Sequence, residues 1–195
     1  LLNLLLLETK VERLRVSSLQ PQEITRELVE LWQDPRLCPH FHLPLQSGSD
    51  EVLKRMRRRY TAGQYADAVE RVRGSVGDVS ITADVLVGFP GETESDFQAT
   101  FALCERVEFA GMHVFPYSVR PGTSAAHFDE QVPAAVKSER VRRLMVLAKA
   151  HGRRFRSRLI GAVRPVLWEE GRESEGETAW TGLTDNYVRV QARGR

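Results

Sequence analysis

A chain of 195 residues with 42% hydrophobic side chains can bury one substantial core, alone or with a small appended unit. A formal net charge of +2 excludes any argument about partners from bulk charge, so only local clusters can carry one. Two cysteines far apart exclude a disulfide framework or a zinc-ligand spacing, and point to a cytoplasmic, reducing setting, while no apolar run is long enough to span a membrane.

In chain order, Leu1 to Leu7 reads as the tail of a buried helix, which suggests that the chain starts inside a larger protein. Val11 to Val16 alternates and meets Ser17-Ser18, the pattern of a strand and a loop. Pro21 opens a helix with Ile24, Leu28 and Leu31 on one side, which reaches Trp32 and breaks at Asp34-Pro35. Phe41 to Gln46 is a second strand, ending at Ser47-Gly48-Ser49. Pro44 donates no ladder hydrogen bond and predicts a bulge or strand end there. Ser49 caps a short helix with Val52, Leu53 and Met56, followed by Arg57-Arg58-Arg59. Thr61 and Gln64 form a capping box ahead of Tyr65, Ala68, Val69 and Val72.

The next stretch organises the chain. A β-branched, apolar strand begins at Val79 and runs into Gly88-Phe-Pro-Gly-Glu92, and Thr93-Glu-Ser-Asp96 opens a helix with Phe97, Phe101, Cys104 and Val107 on one face. Glycines at a strand end let a ligand approach the backbone closely. Met112 to Tyr117 is a further strand with the loop Ser118 to Thr123. A long helix follows from about Pro133 to about Leu159, with Val141, Leu144, Met145, Ala148, Phe155 and Leu159 on its apolar side. Strand and helix alternate four times, which predicts an α/β fold with a parallel sheet, either barrel-like or doubly wound. Four units cannot close a barrel of eight, so further strands are expected upstream of Leu1. Three short strands, 163–168, 178–181 and 187–191, with a hairpin loop over 171–177, predict a separate small β unit that is cut short.

No Ser/His/Asp motif, P-loop or HExxH is present. His40 and His42 share a strand face but have no third ligand near in sequence, so no metal site is expected. His113 is expected to pack or hydrogen-bond on its own strand. Cys38 and Cys104 are expected to pack as small hydrophobes. Three loops carry the constructive signal: 46–49, 88–92 and 117–123. On parallel strands they converge at one edge and offer amides, hydroxyls, an arginine and a carboxylate. Such a set suits a polar cofactor with an adenine, a ribose and an amino-acid head group.

His42-Leu-Pro-Leu-Gln-Ser-Gly-Ser-Asp50, Asp84-Val-Leu-Val-Gly-Phe-Pro-Gly-Glu-Thr93 and Phe115-Pro-Tyr-Ser-Val-Arg-Pro-Gly-Thr123 closely resemble the radical S-adenosylmethionine methylthiotransferases over nearly the whole chain. The resemblance implies a partial (β/α) radical-SAM, TIM-like barrel over residues 1–159. Residues 160–195 would be a truncated β unit similar to the family's TRAM domain, an OB-like RNA-binding module. It places Gln46, Ser47, Gly48, Asp84, Val87, Gly88, Phe89, Pro90, Glu92, Tyr117, Arg120 and Gly122 around S-adenosylmethionine. Arg120-Pro-Gly-Thr123, His113 to Ser118 and Thr184 to Val190 resemble most the branch acting on N6-threonylcarbamoyladenosine beside the tRNA anticodon. The isopentenyladenosine branch is the rival.

The sequence departs from that family in lacking CxxxCxxC, whose thiolates hold the [4Fe–4S] cluster that cleaves S-adenosylmethionine to a radical. The cluster ligands and the amino-terminal domain of a second cluster are expected upstream of Leu1, so the chain holds no metal and is expected to be inactive alone. Val119, where proline is common, and Gln20, where a charged residue or histidine is frequent, are smaller departures. Between Pro133 and Leu159 the long helix carries nine basic residues against Glu139 alone. Arg142, Arg143, Lys149, Arg153 and Arg154 are candidates to meet the phosphates of a tRNA anticodon stem-loop, against the alternative of a solvated helix face. Arg57 to Arg59 are candidates to extend that patch. A stand-alone RNA-binding module and an unrelated phosphate-binding barrel enzyme are the competing functional readings.

Overall fold

The computed structural model describes residues 1–174 and 177–194. In chain order, α1 (Leu2–Glu8) and α2 (Arg26–Glu30) precede β1 (His40–His42), α3 (Asp50–Arg55), α4 (Ala62–Ser75), β2 (Ser80–Val87), α5 (Glu94–Val107), β3 (Gly111–Pro116) and α6 (Ala134–Ser157). The strands form an open parallel sheet in the order β1-β2-β3, with His40 opposite Ser80 and Asp84 opposite His113. Alternation along β2 sets its two faces. Ile81, Ala83, Val85 and Val87 are buried in the helix-covered core, while Thr82, Asp84 and Leu86 face the other way and are half-buried.

Helix ends follow the local sequence. Thr61 with Gln64 and Thr93 with Asp96 make reciprocal capping boxes for α4 and α5. Ser49 accepts from the Val52 amide and donates to Asp96 at 2.5 Å, tying α3 to α5. Tyr65, Ala68, Val69 and Val72 of α4, and Phe97, Leu103, Cys104 and Val107 of α5, are buried stripes against the sheet. α6 lies along β3 and β2, where Leu144 is fully buried and Gly152 lets the helix approach Ala110.

Several expectations are corrected. Val11 to Val16 is not a strand: only Leu14 pairs, through Arg36 and Cys38, because the segment beside it is irregular. The helix expected from Pro21 to Trp32 is two 3-10 turns flanking α2, because Thr25 takes a β conformation and caps a new start at Arg26 by accepting from the Leu28 amide. The second strand is His40–His42 alone. The chain breaks at Pro44 and rejoins β2 at Gln46, whose amide donates to Asp84 and whose carbonyl accepts from Leu86. α1 is helical with no buried residue, and Leu1, Leu4 and Leu7 are exposed.

The remaining strands, β4 (Val166–Ser174), β5 (Glu177–Thr184) and β6 (Arg189–Gly194), form an antiparallel meander. Most of the expected loop over 171–177 is strand. Gly171 pairs with Trp180, and a Cβ there would meet the indole at 2.9 Å, so this glycine makes room for an aromatic across the ladder. Positions 175 and 176 lie outside the described residues. The meander meets the parallel sheet at its amino end. Arg164 bridges Asp78 and Asp185, and buried Asn186 donates to the Asp78 carbonyl. The Tyr187 ring stacks 4.9 Å from His40, with the Arg13 and Arg15 guanidinium groups over it. Among the described residues, no helix is long and apolar enough to cross a membrane.

Candidate active site

At the carboxyl end of the parallel sheet, a cavity of about 600 Å³ opens on the face away from α5 and α6. Gln46 enters from the β1 side, Asp84, Leu86 and Phe89 from β2 and its loop, and Phe115, Tyr117 and Arg120 from β3 and its loop. Arg55 to Arg58 and Phe128 close its rim. All three glycine-bearing loops thus contribute to one concavity, as parallel strands dictate. Phe89 meets Tyr117 edge to face at 5.4 Å and Phe128 at 6.2 Å. The buried Tyr117 hydroxyl has no hydrogen-bond partner, so it is available to a ligand.

The turn after β2 is locked from behind. Glu92 accepts from the Gly88 amide at 3.0 Å and from Arg140 at 2.6 Å, with both side chains buried. Burial pushes the Glu92 carboxyl above its ordinary range. The Gly88 amide and Arg140 pull the other way, so burial wins despite the close ion pair. Gly88 and Gly91 have φ of +72° and +76°, conformations that glycine adopts without penalty. The space beside Gly88 holds the Lys137 stem, whose ammonium donates to the Tyr117 carbonyl. Gly91 faces Arg55, which donates to the Pro90 carbonyl, and the Glu130 carboxylate.

Of the residues expected around the cofactor, Gln46, Asp84, Phe89, Tyr117 and Arg120 line the cavity. The others stand behind its wall or beside it. Ser47 and the Gly48 amide are hydrogen-bonded to Thr100, and Val87 is core. Gly88, Pro90 and Glu92 build the locked turn, and Gly122 sits at φ +83° with open space around it. Among the basic residues of α6, Arg142 pairs with Glu139, Arg143 with Glu94 and Arg154 with Glu108, while Lys149 and Arg153 are exposed. That helix covers the opposite face of the sheet from the cavity.

The partners of Asp84 were not legible in the sequence. His113 does not bond within its own strand: Nδ1 lies 3.2 Å from Asp84, whose other oxygen lies 3.3 Å from His42. Thr82 joins His42 and His40 through its hydroxyl at 3.0 and 3.3 Å. Partners one strand apart are adjacent in space but 29 to 42 residues apart in sequence, so no local signal marks them. Among the described residues, no group of three histidine, cysteine or acidic side chains could hold a metal ion.

The profile of the Radical SAM superfamily matches residues 3–104. The chain is 42% identical, over 96% of its length and 43% of the relative's, to the threonylcarbamoyladenosine tRNA methylthiotransferase MtaB of Bacillus subtilis. It is 43% identical, over 90% of its length and 37% of the relative's, to the tRNA-2-methylthio-N(6)-dimethylallyladenosine synthase of Nitrosospira multiformis. Among solved structures, coproporphyrinogen III oxidase (HemN) of Escherichia coli superposes with a TM-score of 0.59 at 16% identity, covering 72% of this chain and 32% of that one. Elp3 of Methanocaldococcus infernus superposes with a TM-score of 0.55 at 13% identity, covering 93% and 56%. Fold and site thus define an α/β protein of the radical SAM type. The chain belongs to the radical SAM superfamily, and its sequence is similar to that of the tRNA methylthiotransferase MtaB. It spans less than half the length of the curated relatives it matches.

Enzymes of this kind use S-adenosylmethionine and [4Fe–4S] clusters. The cavity suits the first: aromatic edges, a free buried hydroxyl and polar groups converge in a space of nucleoside size. The residues present do not suit a cluster. Cys38 and Cys104 are both buried, and burial pushes the Cys104 thiol up to about 12 and the Cys38 thiol upward. Cluster iron requires several accessible thiolates.

Proposed function

We propose that this chain is a portion of a tRNA methylthiotransferase that converts N6-threonylcarbamoyladenosine next to the anticodon to its 2-methylthio form. On this reading residues 1–159 are part of a radical-SAM barrel and residues 160–195 a TRAM-like unit. The missing amino-terminal portion of the same polypeptide brings the cluster ligands. The single observation that carries the reading is the shared cavity of Gln46, Asp84, Phe89, Tyr117 and Arg120. S-Adenosylmethionine, when bound, supplies the radical and the methyl group. This chain's residues bind and orient. Phe89 and Tyr117 offer ring edges to a base, the Tyr117 hydroxyl offers a hydrogen bond, and Arg120 offers a fork for a carboxylate or phosphate. The Glu92–Arg140 pair holds the turn that presents Phe89.

Calorimetric titration of the chain with S-adenosylhomocysteine tests this. Binding is expected, weakened about tenfold or more by Phe89→Ala, which removes a buried aromatic contact. Reconstitution with iron and sulfide is expected to leave no four-iron absorption band. No affinity for S-adenosylhomocysteine, or a stoichiometric cluster on this chain, defeats the proposal.

A further inference from the structure

The rim of the cavity carries a feature that cofactor binding does not use. α3 ends in a Schellman motif: the Arg57 amide donates to the Lys54 carbonyl and the Arg58 amide to the Leu53 carbonyl, each at 2.9 Å. The residue after the helix cap in this motif takes a left-handed conformation and is usually glycine. Here it is Arg57, at φ +56°. The local backbone therefore gains nothing from an arginine at this place. Arg57 and Arg58 are exposed and line the cavity.

Arg55, one residue before the cap, is engaged by the Pro90 carbonyl and lies 3.9 Å from Glu130. Asp84, the carboxylate that lines the cavity, is held between His42 and His113. Among the described residues, Arg57 and Arg58 have no ion-pair partner. Two guanidinium groups thus stand on the turn after α3, in a lining that includes Phe115, Phe128 and Met56, and neither is paired with a carboxylate among the described residues. Planar guanidinium forks above apolar and aromatic walls suit a nucleoside that carries an oxyanion.

We infer that Arg57 and Arg58 form an oxyanion site at the cavity rim that takes an anionic group of the substrate nucleotide. This rests on the proposed function and deepens it. Two groups of such a substrate share the chemistry: the carboxylate of a threonylcarbamoyl arm on N6, and the phosphates flanking the nucleotide. A carboxylate contact would discriminate against an apolar dimethylallyl arm, which offers nothing to a guanidinium. A phosphate contact would hold any RNA alike.

The test uses the full chain, and its probes are N6-threonylcarbamoyladenosine, the methyl ester of that nucleoside and an unmodified anticodon stem-loop. The variants are Arg57→Gly and Arg57→Gln/Arg58→Gln. Arg57→Gly restores the residue the turn prefers, so it is expected to fold at least as stably as the parent. If the carboxylate is the ligand, the free acid binds about tenfold more tightly than the ester, and both variants abolish the difference. If phosphate is the ligand, acid and ester bind alike. The salt slope of stem-loop binding then falls by about 0.7–0.9 for each phosphate that a variant no longer neutralises. Either result supports the site and identifies its anion. The inference is overturned if the variants change neither the acid–ester difference nor the salt slope, or if the parent chain binds none of the three probes. Binding of S-adenosylhomocysteine, measured in parallel on each variant, separates this failure from failure of the proposed function.

Discussion

His40 shows how one side chain can link a sheet to its neighbour and to pH. Its Nδ1 accepts from Arg15 at 3.2 Å, its Nε2 faces Thr82, and Tyr187 covers its ring. Burial, then Arg15 and His42, bring its pKa down to about 4. The folded chain therefore keeps His40 neutral at pH values where an unfolded chain, with an ordinary value of 6.5, takes up a proton. This contribution to stability is complete above about pH 6.5 and is lost progressively as the pH falls towards 4. The loss is on the order of 3 kcal/mol, from 1.36 kcal/mol per pKa unit. Urea midpoints measured across that window should fall for the parent and flatten for His40→Gln. Equal slopes would show that another group titrates.

At the scale of elements, the wall of the cavity depends on how closely the β1–α3 loop approaches α5. A Cβ on Gly48 would lie 2.7 Å from the Thr100 Cα and 2.9 Å from the Ala99 carbonyl oxygen, both backbone atoms that cannot swing aside. Gly48→Ala is expected to cost about 1–3 kcal/mol, read as a lower urea midpoint, because overpacking at backbone forces whole elements apart. The same change should disturb the Ser47–Thr100 and Ser49–Asp96 contacts that hold α3, and with it Arg57 and Arg58. Motif reading placed Ser47 and Gly48 at the cofactor, yet both are committed to packing. A glycine that lets a ligand approach and a glycine that lets a helix approach are alike in sequence.

Across the whole molecule, the two sheets meet at the end opposite the cavity. Asn186 is fully buried and bonded to Asp78, Arg164 spans Asp78 and Asp185, and Arg13 donates to the carbonyls of Leu183 and Thr184. Asn186→Ala removes a buried donor and leaves the Asp78 carbonyl without it, at a cost of about 1–3 kcal/mol. Hydrogen exchange should quicken across Leu183 to Val188 and around Asp78, while amides of β2 near the cavity keep their protection. Uniform acceleration throughout the sheet would mean that the two units unfold together.

Periodicity and capping chemistry by themselves determined α3, α4, α5, α6 and the two longer parallel strands, because each depends on neighbours within a few residues, and they marked three strands in the last unit without their extents. They also determined that three glycine-bearing loops share one edge, since parallel strands place their ends together. Tertiary structure alone decided which loop residues face the cavity and which face a helix. It joined His42, Asp84 and His113 across three strands. It also matched most arginines of the basic helix with carboxylates, among them Glu92, Glu94 and Glu108 from distant segments, and left Arg57 and Arg58 without an ion-pair partner among the described residues. The reason is physical: propensity and hydrogen-bonded turns act locally along the chain, whereas ion pairing, side-chain direction and close approach depend on which distant segments folding brings into contact.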